Sequence, residues 1–284
     1  MRILGYGDNF VDKFVDRRTY YPGGNAVNVA VFAAALGAEA AYLGVFGDDD
    51  LATHVRRVLA DLSIDTTLSV TRPGETGWAE VEVVDGDRVF RGWNGGGVTT
   101  ADPLLLGEAE IAHAAGFDLV HSGVYGGTAG EVHKLAAAGP LLSFDFSEEP
   151  EFRTAEFLRE LCPSLDLALF SGGEDSGDDL VQTLRDAVAA GTRLALGTRG
   201  AAGSVAWDGR TLHEQAAVLT DHPVDTMGCG DSFLAAFAVH ALSSGWKRGN
   251  DLPSAVVRDG LRTAAEFSGR QTLTEGAFGY GRSY

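Results

Sequence analysis

Asp225-Thr226-Met227-Gly228-Cys229-Gly230-Asp231-Ser232-Phe233 is the stretch that decides the reading. Two glycines flank one residue immediately before an apolar run that reads as a helix from about Ser232 to Ser244. Without side chains at Gly228 and Gly230 the chain turns tightly and brings several N–H groups to one point. Those groups lie at a helix N-terminus, where the dipole favours negative charge. The result is an anion cradle of Gly228, Cys229 and Gly230, suited to charge developing on a transferring phosphoryl group. Asp231 follows at once, placed to accept a proton from an attacking hydroxyl. Taken bare, the same string also reads as an N-capping aspartate after a glycine turn.

Working outward, strands and helices alternate. Arg2 to Tyr6 reads as a strand, Asn25 to Leu36 as a buried helix, and Ala40 to Phe46 as a strand. A helix then runs to Leu62 with Asp48 as its cap. Further strands are expected at Leu119-Val120, Leu141 to Phe144, Leu167 to Phe170 and Arg193 to Leu196. Helical patterns fall at Ala129 to Ala138, Glu151 to Leu161, Asp178 to Ala190 and Leu252 to about Phe267. This alternation predicts an α/β fold with a mainly parallel sheet and helices on both faces. A hairpin at Ser204 to Glu214 closes the series.

One segment breaks the rhythm. Thr76 to Val84 alternates polar and apolar residues, Asp85-Gly86 reads as a turn, and Arg88 to Trp93 returns. Such a half-polar hairpin is expected to stand off the main sheet as a small β lid, with Lys13 to Tyr21 adding a strand. The alternative is an edge meander packed on the core. Gly95-Gly96-Gly97 leads back and could hinge. The domain reading is a core of 1–12, 22–74 and 97–284, with a lid of 13–21 and 75–96.

Composition narrows the partners. The formal net charge of −18 over 284 residues repels phosphate backbones and anionic lipid, so neither nucleic acid nor membrane is an expected partner. Cys162 and Cys229 are the only cysteines, too few for a disulfide framework. No stretch reaches the roughly 18 apolar residues of a membrane span. A soluble, cytoplasmic protein is expected.

Asp225-Thr226-Met227-Gly228-Cys229-Gly230-Asp231 resembles the D-T-x-G-A-G-D signature of the ribokinase-like carbohydrate kinases, with Cys229 in place of alanine. Pro22-Gly23-Gly24-Asn25-Ala26-Val27-Asn28-Val29-Ala30 is similar to the family's N-terminal sugar-binding signature. Their order fits the family, and the resemblance covers nearly the whole chain. It implies a three-layer α/β/α sandwich with a small β-sheet lid, ATP and Mg²⁺ as cofactors, and a homodimer paired through the lid. Asp231 is then the catalytic base. Asp8, Asn9, Asp12, Gly23, Gly24, Asn25 and Asn28 would hold the sugar. Thr198, Gly200 and Gly203, in a T-x-G-x-x-G-like turn, would join Gly228 and Gly230 at the nucleotide. Glu174 would organise Mg²⁺-bound water, although Ser171 stands where N-x-x-E has asparagine. A monovalent cation such as K⁺ near Asp225 is a family possibility.

Gly7-Asp8-Asn9, Asp87-Arg88-Val89-Phe90, Phe144-Asp145-Phe146-Ser147 and Ser204 to Gly209 resemble the family's fructosamine-phosphorylating members. That implies transfer to the 6-hydroxyl of fructoselysine or a related fructosamine. Arg91, with Arg88, could then pair with the substrate's carboxylate, and Glu80 or Glu82 with its ammonium. A kinase for another ketose, a pentose or a nucleoside remains open, as does a non-catalytic sugar-binding protein. A dinucleotide fingerprint fails at Phe10, which occupies its third glycine position.

Overall fold

The computed structural model describes residues 1–84, 87–173 and 176–284, with side chains described for all of these except 83, 84 and 87–90. The expected turn at Asp85-Gly86 lies outside the described residues.

The chain opens with β1 (Arg2–Gly7), then a hairpin of β2 (Phe10–Phe14) and β3 (Thr19–Gly23). Next come α1 (Asn25–Ala35), β4 (Glu39–Phe46), α2 (Asp50–Asp61) and β5 (Val70–Thr71). A second hairpin pairs β6 (Gly77–Val84) with β7 (Asp87–Trp93), followed by α3 (Gly97–Ala101) and α4 (Glu108–Ala114). Then β8 (Leu119–Gly123), β9 (Leu141–Asp145), α5 (Ala155–Leu161), β10 (Leu167–Ser171), α6 (Gly177–Ala190) and β11 (Leu194–Thr198) alternate. The antiparallel pair β12 (Ser204–Trp207) and β13 (Leu212–Gln215) precedes α7 (Cys229–Ser243), α8 (Ser254–Gln271) and the short β14 (Arg282–Ser283).

Nine strands form the main sheet in the order β13-β12-β11-β10-β9-β8-β1-β4-β5. It is parallel from β11 through β5 and antiparallel at β12 and β13. Alternate side chains of its strands enter two different cores. Leu4, Tyr6, Val120, Phe144 and Phe170 pack with Leu158 of α5 and Leu184 of α6. Ile3, Leu119, Leu141 and Leu169 pack with Val29 of α1, Phe237 of α7 and Leu261 of α8. Period-two alternation thus feeds a helical layer on each face, the three-layer arrangement expected.

The position of α1 depends on a missing side chain. A Cβ on Gly5 would lie 2.0 Å from the Ala26 carbonyl oxygen, so only glycine lets the first turn of α1 rest on β1. Residues Ala26 to Ala33 are buried throughout, which explains a helix without a polar face.

Five strands form the second sheet in the order β14-β3-β2-β6-β7. It differs from the reading above in that Lys13 to Tyr21 contains parts of two strands, with a turn at 15–18, rather than one strand. The C-terminal β14 also joins, pairing with β3. The sheet is tied to the core at Asp49, whose carboxylate accepts from Ala52 N–H (2.8 Å) and from the Thr76 N–H and hydroxyl (2.8 and 2.6 Å). Asp49, not Asp48, therefore caps α2; Asp48 accepts from Gly74 N–H instead. The Ala129 to Ala138 pattern forms a three-ten helix over Ala129–Leu135 rather than an α-helix. The Glu151 to Leu161 pattern divides at Thr154, which caps α5.

Replacing Gly5 by alanine should force β1 and α1 apart. Urea unfolding should show Gly5→Ala losing about 1–3 kcal/mol of stability, the usual cost of overpacking.

Candidate active site

The C-terminal ends of β1, β9, β10 and β11 deliver Asp8, Asp145, Ser171 and Thr198 to one edge of the sheet. That edge is where open parallel sheets place their ligands. The start of α7 meets it. Gly228 is the N-cap of α7 and adopts a left-handed φ of 71°; a Cβ there would lie 2.8 Å from the Ala277 Cβ. The helix begins at Cys229, so Asp231 stands in its first turn rather than just before it. The Cys229 N–H bonds to the Thr226 carbonyl (3.2 Å), and the amides of Gly230 and Asp231 follow at the helix's open end.

Asp231 is buried and held by two amides from α1. Asn25 Nδ2 donates to its Oδ1 at 2.8 Å, and Asn28 Nδ2 to its Oδ2 at 2.7 Å. Burial pushes its carboxyl up to about 6, against the lowering effect of both amides; the Asp8 charge adds to the rise. The group is therefore mostly ionised at neutral pH yet more basic than a surface aspartate.

Asn25 makes a second bond that the sequence reading did not foresee. Its Nδ2 also donates to Asp145 Oδ2 at 3.1 Å, while Ser147 N–H donates to Asp145 Oδ1 at 2.8 Å. Burial, then the neighbouring Asp231, pushes Asp145 up to about 8. Of the two carboxyls, Asp145 is thus raised further and holds its proton to higher pH than Asp231. A strand-end aspartate was visible in Phe144-Asp145-Phe146-Ser147, but nothing in the string pointed to Asn25.

Two residues expected to hold the sugar are turned into the fold. Asp8 accepts from the N–H groups of Asn25 (2.7 Å) and Ala26 (3.1 Å), supplying the cap that Gly24 lacks the side chain to give. Asn9 donates to Tyr42 Oη (2.6 Å), the Val45 carbonyl (2.6 Å) and Thr99 Oγ1 (3.2 Å). Gly24 brings the chain close to both: a Cβ on it would lie 2.9 Å from Asn9 Cα and 3.0 Å from Asp8 Oδ2. Asp12, Gly23 and Asn28, in contrast, converge. The Cβ position of Gly23 lies 2.8 Å from Asp12 Oδ2 and 3.9 Å from Asn28 Oδ1. Asn28 Oδ1 is buried with no hydrogen-bond partner among the described residues, an acceptor suited to a ligand hydroxyl.

On the other side of the α7 start lies a cavity of about 420 Å³. Thr198, Gly200, Gly203 and Gly230 line it, and Cys229 stands there rather than Gly228, whose backbone turns away toward Ala277. Gly203 is required there: its φ is 93°, and a Cβ would lie 2.2 Å from the Gln215 carbonyl oxygen. Val218 and Leu219 from the loop after β13, which no motif announced, complete the wall with Ser268 and Gly269 from α8, within the Ala264 to Gly276 region that the family resemblance places over adenine. Such a slot, beside a glycine turn and a helix N-terminus, fits a nucleotide base and its phosphates.

Asp225 lies behind the cradle rather than in it. Its Oδ1 accepts from Met227 N–H and its Oδ2 from Gly276 N–H, both at 3.0 Å. It thereby fixes the 225–230 turn to the segment after α8. Arg91 stands on the outer strand of the second sheet, paired with Glu82 at 2.6 Å and half-exposed. Glu174 lies outside the described residues. Among the described residues no group of three or more His, Cys, Asp or Glu side chains gathers to hold a bare ion.

The model of the pfkB family of carbohydrate kinases matches residues 11–271. The chain is 35% identical to the fructosamine kinase FrlD of Bacillus subtilis over 285 residues, covering 100% of this chain and 95% of that protein. It is also 35% identical to the fructoselysine 6-kinase of Escherichia coli over 252 residues, covering 89% and 92%. Its fold is similar to a fructokinase with bound ATP from Xylella fastidiosa, with a TM-score of 0.77 at 20% identity over 98% and 95% of the two chains. The ribokinase of Arabidopsis thaliana, complexed with ribose and ATP, gives 0.74 at 19% identity over 98% and 95%. The fold is ribokinase-like, and the chain belongs to the pfkB family of carbohydrate kinases.

Proposed function

We propose that this kinase transfers the γ-phosphoryl group of ATP to the 6-hydroxyl of fructoselysine or a related fructosamine. The observation that carries the reading is the placement of Asp231. It sits between a convergence of hydroxyl-binding groups at Asp12, Gly23 and Asn28 and the 420 Å³ cavity lined by the glycine turn. The 35% identity to two kinases named for fructosamine or fructoselysine supports the choice of sugar.

In this reading Asp12 and Asn28 Oδ1 take sugar hydroxyls and aim the 6-hydroxyl at Asp231. Asp231 accepts its proton as the oxygen bonds to phosphorus and the bond to ADP breaks. The amides of Gly230 and Asp231 face the charge that grows on the transferring group. Bound with the nucleotide, Mg²⁺ would supply charge neutralisation, and such an ion keeps most of its waters and needs only one or two carboxylates. Glu174 is the proposed contact. A monovalent cation at Asp225 would have to share oxygens that already accept Met227 and Gly276 N–H. Lid closure over the sugar would exclude water and suppress ATP hydrolysis. A homodimer paired through the lid fits the open edge that β7 presents.

Three measurements test this. Asp231→Asn should cut kcat by about a hundredfold or more, the loss expected of a general base; near-normal turnover would remove the assigned role. Because the ionised form is the active one, kcat/KM should rise with pH through about 6 and then level. Asn28→Ala removes a donor that lowers the Asp231 carboxyl, so its midpoint should move to higher pH. In a panel of fructoselysine, other fructosamines, fructose, ribose and adenosine, ADP release should be most efficient with a fructosamine. A preference for ribose or adenosine would overturn the substrate, and no ADP release with any sugar would favour a binding protein.

A further inference from the structure

The register of the second sheet sets four residues in one row. Tyr21 on β3 pairs with Asp12 on β2, Asp12 lies beside Ala79 on β6, and Ala79 opposes Trp93 on β7. Directly paired residues point to the same face of a sheet. That face looks toward the base. Phe14, Tyr21 and Val81 from it pack with Met227, just before α7, and the Asp12 carboxylate meets Gly23 near Asn28. The row therefore leads away from the convergence at Asp12 toward the outer edge of the sheet. Two strand spacings, about 10 Å, separate Asp12 from Trp93. Only a methyl group intervenes, at Ala79. Trp93 is 61% exposed and takes no ring or cation contact among the described residues.

A ketose whose 6-hydroxyl sits at Asp231 places carbon 1 at its other end. In a fructosamine that carbon bears the nitrogen. We propose that Trp93, with the gap at Ala79, is the subsite for the nitrogen-linked arm of the substrate. The indole face covers the secondary ammonium and the start of the aliphatic chain beyond it. This rests on the fructosamine reading above and adds the residue that distinguishes such a substrate from free fructose. Trp93 touches no reacting atom, so it acts on selection and not on the chemical step.

The test is steady-state kinetics on fructoselysine and on fructose at saturating ATP, with sedimentation velocity on each protein. Trp93→Ala should raise KM for fructoselysine by about tenfold, the size of a desolvated cation–π contact, with kcat and the fructose constants unchanged within about twofold. Trp93→Phe should retain most of the affinity. Ala79→Leu, which fills the gap, should act like Trp93→Ala. Unchanged fructoselysine constants in Trp93→Ala would overturn the proposal. So would an equal loss on both sugars, or a fall in sedimenting mass accompanied by such a loss, which would mark Trp93 as a contact between copies. A wild-type enzyme that phosphorylates fructose but no fructosamine defeats the substrate reading before any variant is measured, and the subsite with it.

Discussion

The clamp of Asn25 and Asn28 on the Asp231 carboxylate is the constraint around which the molecule is arranged. It joins the first turns of α1 and α7, which lie far apart in sequence. Both helices must start at the same edge of the sheet for the bonds to form. The bare backbone of Gly5 sets α1 against β1, and the Asp8 carboxylate holds its first N–H groups. On the α7 side, Gly228 takes a left-handed conformation against Ala277, and Asp225 stitches the turn to Gly276. Each device fixes one coordinate of the same pair of hydrogen bonds.

The arrangement carries an electrostatic cost. Asp8, Asp145 and Asp231 are all buried near the start of α1, and burial raises each of them. A carboxyl raised in the folded state adds stability below the ordinary carboxylate range and loses it as pH rises through the folded value. For Asp231 that loss runs through about 6, and for Asp145 through about 8. At neutral pH the site therefore holds Asp231 as an anion against the preference of its surroundings. The extensive cores on both faces of the sheet offset that strain elsewhere.

The parts of the site that follow from backbone chemistry were legible in the sequence. Gly228 and Gly203 announce tight turns, and the apolar run after Asp231 announces a buried helix; Gly230, expected in the turn, lies in the first turn of α7 instead. A mainly parallel sheet with helices on both faces followed from alternation, whereas the strand order did not, because pairing joins segments distant in sequence. The direction of a side chain was not legible. Asp8 and Asn9 stand beside the sugar-binding residues in sequence, yet Asp8 caps α1 and Asn9 is drawn toward Tyr42, Val45 and Thr99, because the helix N-terminus competes for the carboxylate. The Asp145–Asn25–Asp231 network joins three separate segments, so no local pattern encodes it. The Ala79–Trp93 register was hidden for a similar reason. A bulge between Glu80 and Val81 shifts the hairpin, and residue counting from the turn would pair the wrong positions.

The identity of the two donors on Asp231 bears on why the site works as a base. A lysine or arginine beside the carboxylate would hold it as firmly, but opposite charge drives a carboxyl below its ordinary range and weakens its hunger for a proton. Neutral amides orient both oxygens while leaving burial free to raise the proton affinity, and the outcome is a group poised near 6. Each asparagine also makes a second contribution, and that of Asn28 is one a cation, with no acceptor, could not make. Asn25 shares its amide with Asp145, and Asn28 keeps a carbonyl oxygen for a hydroxyl. One short helical turn thus fixes the base, tunes it and presents an acceptor toward the substrate side.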